Sequence, residues 1–271
     1  MVCREIAHHK RTALLNRFSR QKLWQDALEV FRGMHGTGIR PKLTTLSTLI
    51  SACSRGSQWE HALSILVAMR RHGHRPDVVD YNTSINACGR GRQWAWAVHL
   101  WGAIQQAHLQ ADVYTYSNLI NACEKGQRWA QALQLLGVMQ EDLLQPNNFT
   151  YGALISACER GSQWARALDF LEAIRQQGLQ PNVIIYNASI SACEKASQWV
   201  RALHLLAAIV QESLQSDVIS HSTAISACEK GQQWARALHV LTSMQQDSIE
   251  ADVVTYNASI SACEKGSQWS R

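Results

Sequence analysis

A basic residue recurs at a fixed interval along the chain, and this recurrence has a direct chemical meaning. Every 35th position of one series is lysine or arginine: Arg20, Arg55, Arg90, Lys125, Arg160, Lys195, Lys230 and Lys265. Cations with a constant pitch match a polyanion whose charges are also evenly spaced, such as a phosphate backbone. Several of these residues follow a glutamate, so a solvated charged face, or favourable placement near a helix C-terminus, is an alternative explanation.

The cysteines recur with the same period but do not form a metal or redox motif. Seven of the eight lie in one series: Cys53, Cys88, Cys123, Cys158, Cys193, Cys228 and Cys263. No C-x-x-C motif occurs, and neighbouring helices pack about 8–10 Å apart, whereas a disulfide needs Cα atoms within about 7 Å. We therefore expect buried thiols in a reducing compartment, with no metal and no cofactor.

Composition and motifs exclude several other classes of protein. The formal net charge of +5 permits a polyanionic partner without requiring one. No run of 18 apolar residues occurs, so we expect no membrane span, and residues 1–7 lack the apolar core of a secretion signal. The H-x-E and P-C-x-x-C signature of zinc deaminases is missing, as is any carboxylate cluster outside the repeats, so we do not expect an enzyme.

The apolar residues predict two helices in each 35-residue unit. In 113–147 the first helix is expected over about 115–125, with Thr115 as its N-cap and Gly126 as its end. The second is expected over about 128–140, because apolar residues follow the helical period from Trp129 onward. All four prolines lie in the loop that leads to the next unit, where no helical N–H is lost: Pro41, Pro76, Pro146 and Pro181.

One helical hairpin cannot bury its own apolar face, but stacked hairpins can. The predicted fold is therefore all-α, a right-handed superhelical α-solenoid of helix-turn-helix repeats. A frame that begins at Val78 predicts an N-terminal segment with a degenerate repeat (1–42), six full repeats (43–252) and a truncated seventh repeat (253–271). That truncation predicts a fragment or an incomplete gene model. Tryptophan recurs every 35 residues, in a place suited to packing between repeats, with base stacking as the alternative.

These features resemble the pentatricopeptide repeat family. The resemblance rests on the segment Val253–Lys265 (VVTYNASISACEK), on the loop 179–182 (LQPN) and on the 35-residue period. It covers 43–271 well and 8–42 weakly, and the uniform length indicates the plain type of array. What it implies is selective binding of single-stranded RNA, about one base per repeat. It also implies a role in an organelle, chloroplast or mitochondrion, in RNA processing, stability, editing or translation.

In the family, the fifth residue of a repeat and its last residue read the base together. The corresponding pairs are Ser47 with Asp77, Asn82 with Asp112, Ser117 with Asn147, Gly152 with Asn182, Asn187 with Asp217, and Ser222 with Asp252, while Asn257 has no partner. The family code then predicts the site 5′-G-U-A-n-U-G-3′, in which glycine makes the fourth position weak. Thr12 with Lys42 does not fit the code. Turn formation after proline and a plain polar helix face are the alternatives for these residues.

The family also clamps each base between the second residues of adjacent repeats. Six of these residues are bulky and apolar: Val79, Tyr114, Phe149, Ile184, Ile219 and Val254. Thr44 departs from the pattern. Stacking on an aromatic side chain contributes roughly 1–3 kcal/mol per base.

Two classes of binding protein remain open at this point. One is an RNA-binding adaptor, expected to be monomeric and to meet other RNA-processing proteins; the other is a solenoid scaffold that binds proteins. The recurring basic residue favours RNA, because a groove for peptides would not need a cation at the same place in every repeat.

Overall fold

The computed structural model describes residues 17, 21, 23–36 and 41–266, and its regular elements there are fourteen helices of 13 residues each. They are α1 (Trp24–Gly36), α2 (Leu43–Arg55), α3 (Trp59–Arg71), α4 (Val78–Arg90), α5 (Trp94–Gln106), α6 (Val113–Lys125), α7 (Trp129–Glu141), α8 (Asn148–Arg160), α9 (Trp164–Gln176), α10 (Val183–Lys195), α11 (Trp199–Gln211), α12 (Val218–Lys230), α13 (Trp234–Gln246) and α14 (Val253–Lys265).

The chain divides into two compact units, Met1–Gln145 and Pro146–Arg271. In the first, α2 pairs with α3, α4 with α5, and α6 with α7, while the first helices of these hairpins stack in the order α2, α4, α6. In the second, α8 pairs with α9, α10 with α11, and α12 with α13, and the first helices stack in the order α8, α10, α12, α14. The predicted all-α repeat solenoid is confirmed.

Each first helix from α4 onward begins at the cap supplied by the last residue of the preceding repeat. For α6 that cap is Asp112, whose Oδ1 accepts the backbone N–H of Thr115 at 2.8 Å. The prediction that Thr115 is the N-cap was therefore wrong. Thr115 is the third helical residue, and its hydroxyl completes a capping box with Asp112. The helix consequently starts at Val113, two residues before the predicted start.

The glycine that follows several of the first helices lies close to a tryptophan of the preceding repeat. Gly126 follows α6 with φ −80°, and the left-handed residue is the next one, Gln127, with φ 57°. The helix thus ends at Gly126, as the sequence predicted, although the glycine itself is not in the left-handed conformation. A Cβ on Gly126 would lie 2.6 Å from Cδ1 of Trp94 in the preceding repeat, so glycine is required here by close approach.

The core of each hairpin contains apolar residues at the predicted helical spacing, including fully buried Tyr116 and Ile120 in α6. The cysteines from Cys53 to Cys263 in the 35-residue series are buried and free. Burial raises the pKa of Cys53 to about 11 and that of Cys88 to about 12. Among the described residues, no group of three or more histidine, cysteine or acidic side chains is placed to hold a metal ion, and no helix is long and apolar enough to cross a membrane.

Candidate nucleic-acid interface

Four positions of each first helix form one strip along the helix, and we call this strip the open face. It consists of the second, fifth, ninth and thirteenth residues of the helix. At 100° per residue these positions fall within an arc of about 80°. In α6 they are Tyr114, Ser117, Asn121 and Lys125. Thus the predicted clamping, reading and basic residues lie on the same face of each helix.

The predicted clamping residues are exposed in every repeat that has one. Val79, Tyr114, Phe149, Ile184, Ile219 and Val254 have between 54% and 75% of their surface accessible. A large apolar side chain that is exposed singly is ordinary, but recurrence at one position of each first helix is not explained by core packing. The open face therefore presents one apolar contact surface per repeat.

Two of the predicted reading pairs are joined by a direct hydrogen bond. The amide Nδ2 of Asn82 donates to Oδ1 of Asp112 at 3.1 Å, and that of Asn187 donates to Oδ1 of Asp217 at the same distance. Each aspartate also caps the next first helix, so its carboxylate is held from two directions. These aspartates therefore also have a local backbone role, as helix caps.

The predicted pairs with serine or glycine have a different geometry. The hydroxyls of Ser47 and Ser117 donate to the carbonyls four residues earlier, at 3.1 Å and 2.6 Å, and Ser222 donates to the carbonyl of Ile219 at 3.2 Å. Within the described ranges, no hydrogen bond joins Ser47 to Asp77 or Ser222 to Asp252. Ser117 is only 1% exposed, which the sequence did not predict.

The remaining predicted reading residues occupy three kinds of place. Asn147 and Asn182 cap α8 and α10 through their side-chain oxygens, as Asp252 caps α14. Gly152 lies at the fifth position of α8 without a side chain. Asn257 is exposed at the fifth position of α14. Thr12 and Arg20 lie outside the described residues.

The aspartates of the Asn–Asp pairs are held in their ionised form. Burial raises the pKa of Asp112, but the hydrogen bonds from the side chain and backbone of Thr115 and from Asn82 outweigh burial and lower it. Burial also raises the pKa of Asp217, but hydrogen bonds from Ser220 and Asn187 outweigh burial and lower it. At neutral pH each of these pairs therefore presents a carboxylate, which only accepts hydrogen bonds, beside an amide group that can donate.

From Arg55 onward each basic residue of the series ends its first helix, but the surroundings of these residues differ between the two units. In the C-terminal unit three lysines form ion pairs with a glutamate of the preceding repeat. The Nζ–Oε1 distances are 2.8 Å for Lys195 with Glu159, 2.6 Å for Lys230 with Glu194, and 2.9 Å for Lys265 with Glu229. Burial raises the pKa of Glu229, but hydrogen bonds from Ser261 and Lys265 outweigh it and lower the pKa.

In the N-terminal unit, Arg90 and Lys125 form no ion pair with any described residue. Arg55 of the N-terminal unit and Arg160 of the C-terminal unit occupy the same helix position in their repeats. The glutamate partners of the lysines were missed at the sequence level. The recurring Glu-Lys dipeptide was the available signal, but the partner of each lysine proves to be the glutamate one repeat earlier, not the adjacent one.

Family models match almost all of the described chain. The model described as the pentatricopeptide repeat domain matches residues 9–56, 149–196 and 204–265. The PPR repeat family model matches 76–125 and 111–160, and the PPR repeat model matches 44–74. No curated protein sequence matches the chain significantly.

Solved structures share the fold at low sequence identity. The crystal structure of the pentatricopeptide repeat protein PPR10 from maize is 21% identical and matches with a TM-score of 0.86, covering 97% of this chain. PPR10 in complex with an 18-nucleotide psaJ RNA element gives a TM-score of 0.84 at the same identity. The PPR domain of Arabidopsis thaliana protein-only RNase P 1, in complex with tRNA, is 13% identical with a TM-score of 0.59 over 66% of this chain and 95% of that one.

The chain spans 37% of the length of maize PPR10. One family model alone covers more than half of the chain, and the recurring helical hairpins match the period of those models. The chain belongs to the pentatricopeptide repeat family.

Proposed function

We propose that the chain binds single-stranded RNA along the open face of its first helices and selects about one base per repeat. The observation that carries this proposal is the recurrence, in one repeat after another, of an exposed apolar side chain on the same face as a polar reading residue. The solved structures of PPR10 with a psaJ RNA element and of the RNase P domain with tRNA support RNA as the ligand class.

Each side chain of the open face has a separate task in this proposal. The apolar second residues of neighbouring repeats contact the two faces of a base, which is favourable for any base and stronger where the residue is Tyr114 or Phe149. Such contacts hold the base without identifying it. Identification falls to the polar pair, which meets the edge of the base.

The Asn–Asp pairs suit uracil on chemical grounds. The imino N–H of uracil can donate to the carboxylate of Asp217, and a uracil carbonyl can accept from the amide of Asn187. Cytosine has no imino N–H, so it would face the carboxylate with an acceptor. In the Ser–Asp pairs the carboxylate can accept hydrogen bonds from guanine, whose edge also carries N–H donors. This agrees with the family code for 5′-G-U-A-n-U-G-3′.

We also propose that the protein acts as an adaptor in an organelle, in the processing, stability, editing or translation of a transcript, and that it binds RNA without catalysing its cleavage. The support for this biological role is the family resemblance. A fluorescent fusion in living cells tests the location, and exclusive cytosolic fluorescence of the full-length fusion would contradict it.

Fluorescence anisotropy with a labelled RNA containing 5′-GUAAUG-3′ tests the binding proposal. A scrambled RNA and the DNA equivalent serve as controls, each at two salt concentrations. We expect tight binding to the coded RNA. The Asn82→Ser and Asn187→Ser variants should bind it more weakly, and each should recover when guanine replaces uracil at its position.

Other outcomes have definite meanings. Equal, salt-sensitive binding to all three nucleic acids would be consistent with phosphate binding by the recurring basic residues. It would overturn the proposal that the protein selects bases. No binding to any of them would overturn the RNA proposal and favour the protein scaffold.

A further inference from the structure

Two glutamates of the C-terminal unit each occupy a small pocket of donors on the next repeat. Oε1 of Glu159 accepts from Ser191 Oγ at 2.9 Å and from Lys195 Nζ at 2.8 Å. Oε1 of Glu229 accepts from Ser261 Oγ at 2.6 Å and from Lys265 Nζ at 2.9 Å. In both cases one anionic oxygen takes a neutral donor from the ninth residue and a cationic donor from the thirteenth.

A phosphate oxygen could accept hydrogen bonds from the same two donors. A hydroxyl and an ammonium group four residues apart on one helix lie side by side, and charge-assisted bonds of this kind are short and strong for carboxylate and phosphate alike. The glutamate oxygens therefore stand where a phosphate oxygen could bind. Because each glutamate is covalently part of the chain, an external phosphate must displace it.

The N-terminal unit has the same donor positions without the glutamate. The ninth and thirteenth residues are Asn86 with Arg90 in α4, and Asn121 with Lys125 in α6. Where the preceding repeat would supply the glutamate, Ser54 and Gly89 stand instead. The asparagine amides are partly exposed and make no hydrogen bond with any described residue.

A side chain at Gly89 would require the neighbouring helix to move slightly. A Cβ at Gly89 would lie 3.3 Å from both Cα and Cβ of Ala122 on the neighbouring first helix. This is closer than ordinary van der Waals contact, and the neighbour includes backbone. Because glycine has no side chain, the pocket beside Lys125 contains no carboxylate from this position.

We propose that Asn86 with Arg90, and Asn121 with Lys125, are two phosphate-binding sites, and that the corresponding pockets of the C-terminal unit are blocked by Glu159 and Glu229. These sites extend the proposed RNA-binding function, and they rest on it only in that the RNA backbone supplies the phosphate groups. Phosphate contacts are then concentrated on the N-terminal unit. In the C-terminal unit the lysines chiefly join one repeat to the next.

The first test uses inorganic tripolyphosphate, which carries phosphates and no bases. Side-chain NH2 signals of Asn86 and Asn121 are followed by NMR in the full chain during a titration. We expect these two signals to shift in a saturable way, and the signals of Lys195 and Lys265 to move much less. The Arg90→Gln variant should abolish the shift of Asn86 and leave that of Asn121. Equal shifts at all four residues, or none at the asparagines, would overturn the proposal.

The second test uses RNA and the dependence of affinity on salt. Each lost phosphate contact lowers the slope of log affinity against log salt by about 0.7 for a single strand. Arg90→Gln and Lys125→Gln should each have this effect, whereas Lys195→Gln should change the slope far less. Glu229→Gln should raise the slope by a similar amount, because it leaves Lys265 available. Equal effects of Lys195→Gln and Arg90→Gln would contradict the proposal.

The two tests separate this proposal from the RNA-binding function. If tripolyphosphate shifts the two asparagines but no RNA binds, the phosphate sites stand and the function fails. If the coded RNA binds selectively but neither Arg90→Gln nor Lys125→Gln alters the slope, the function stands and the phosphate sites fail.

Discussion

The side chains of Asn187 and Asp217 are hydrogen-bonded to each other across 30 residues of sequence, with Nδ2 of the asparagine 3.1 Å from Oδ1 of the aspartate. The same Oδ1 accepts the backbone N–H of Ser220 at 2.8 Å and so caps α12. One carboxylate therefore starts a helix and orients the proposed base-reading amide of the repeat before it. The pair Asn82 and Asp112 has the same arrangement.

Substitution of Asp217 should separate these two roles. Asp217→Ala removes the cap and should lower the free energy of unfolding by about 1 kcal/mol, whereas Asp217→Asn retains a capping oxygen and should cost a few tenths at most. Both variants lose the carboxylate, so both should lose preference for uracil over cytosine at this repeat. Urea unfolding and anisotropy measure the two effects. Retention of the uracil preference by Asp217→Asn would show that the carboxylate does not read the base.

The same carboxylates should make the stability of the fold depend on pH in the acidic range. The pKa values of Asp112 and Asp217 lie below the ordinary value of 3.8, so folding favours their ionised form. Their contribution is complete above the unfolded value and is lost as pH falls through the lower folded value. The double variant Asp112→Asn with Asp217→Asn should therefore lose less thermal stability than the parent between about pH 5 and pH 2. An equal loss in both proteins would show that these caps do not contribute to acid sensitivity.

Two tyrosines in one helix provide a matched comparison of binding and stability. Tyr114 is 71% exposed on the open face, whereas Tyr116 is 1% exposed and donates to Asp142. Tyr114→Ala should weaken RNA binding by about 1–3 kcal/mol and alter the free energy of unfolding by no more than about 0.5 kcal/mol. Tyr116→Ala should destabilise the fold by roughly 3–5 kcal/mol. Unchanged RNA affinity in a folded Tyr114→Ala protein would contradict the clamping role.

The close contact between Gly231 and Trp199 should make this glycine sensitive to a single methyl group. A Cβ there would lie 2.3 Å from Cδ1 of Trp199, so Gly231→Ala should destabilise the protein by about 1–3 kcal/mol through overpacking. Gly102→Ala is the control, because a Cβ at Gly102 meets nothing within 4 Å. It should stabilise α5 by about 0.5–1 kcal/mol. Thermal unfolding measures both, and stabilisation by Gly231→Ala would contradict the packing argument.

One repeat has alanine, Ala196, at the position that Gly231 occupies in the next repeat, and its helix ends with a different hydrogen bond. The N–H of Ala196 bonds to the carbonyl of Cys193, three residues earlier, at 3.2 Å. At Gly231 the corresponding N–H bonds to Ala227, four residues earlier, at 3.0 Å. The last turn of α10 is therefore tighter than the last turn of α12. Periodicity alone could not predict this local change of hydrogen bonding.

The helical pairs and their stacking were predictable because each repeat meets nearly the same neighbours as the next. Apolar residues at helical spacing therefore indicate the buried face, and the 35-residue interval predicts that the open faces share one register. The exposure of Tyr114 and Phe149 follows from the same reasoning, since they lie opposite the buried positions. Helix starts were less certain, because Asp112 and Thr115 are both good capping residues and only the backbone conformation decides between them.

The sequence alone determined the repeat, the two helices of each unit and the face on which polar, apolar and basic residues recur, because these properties depend on spacing within the chain. The tertiary structure decided which of these side chains are already engaged. Asn187 meets Asp217, Lys265 meets Glu229, and Lys125 meets no described acid, although their spacing in the repeat is uniform. The reason is physical: a hydrogen bond or ion pair between repeats depends on what the neighbouring helix presents within about 3 Å, and that neighbour differs from repeat to repeat.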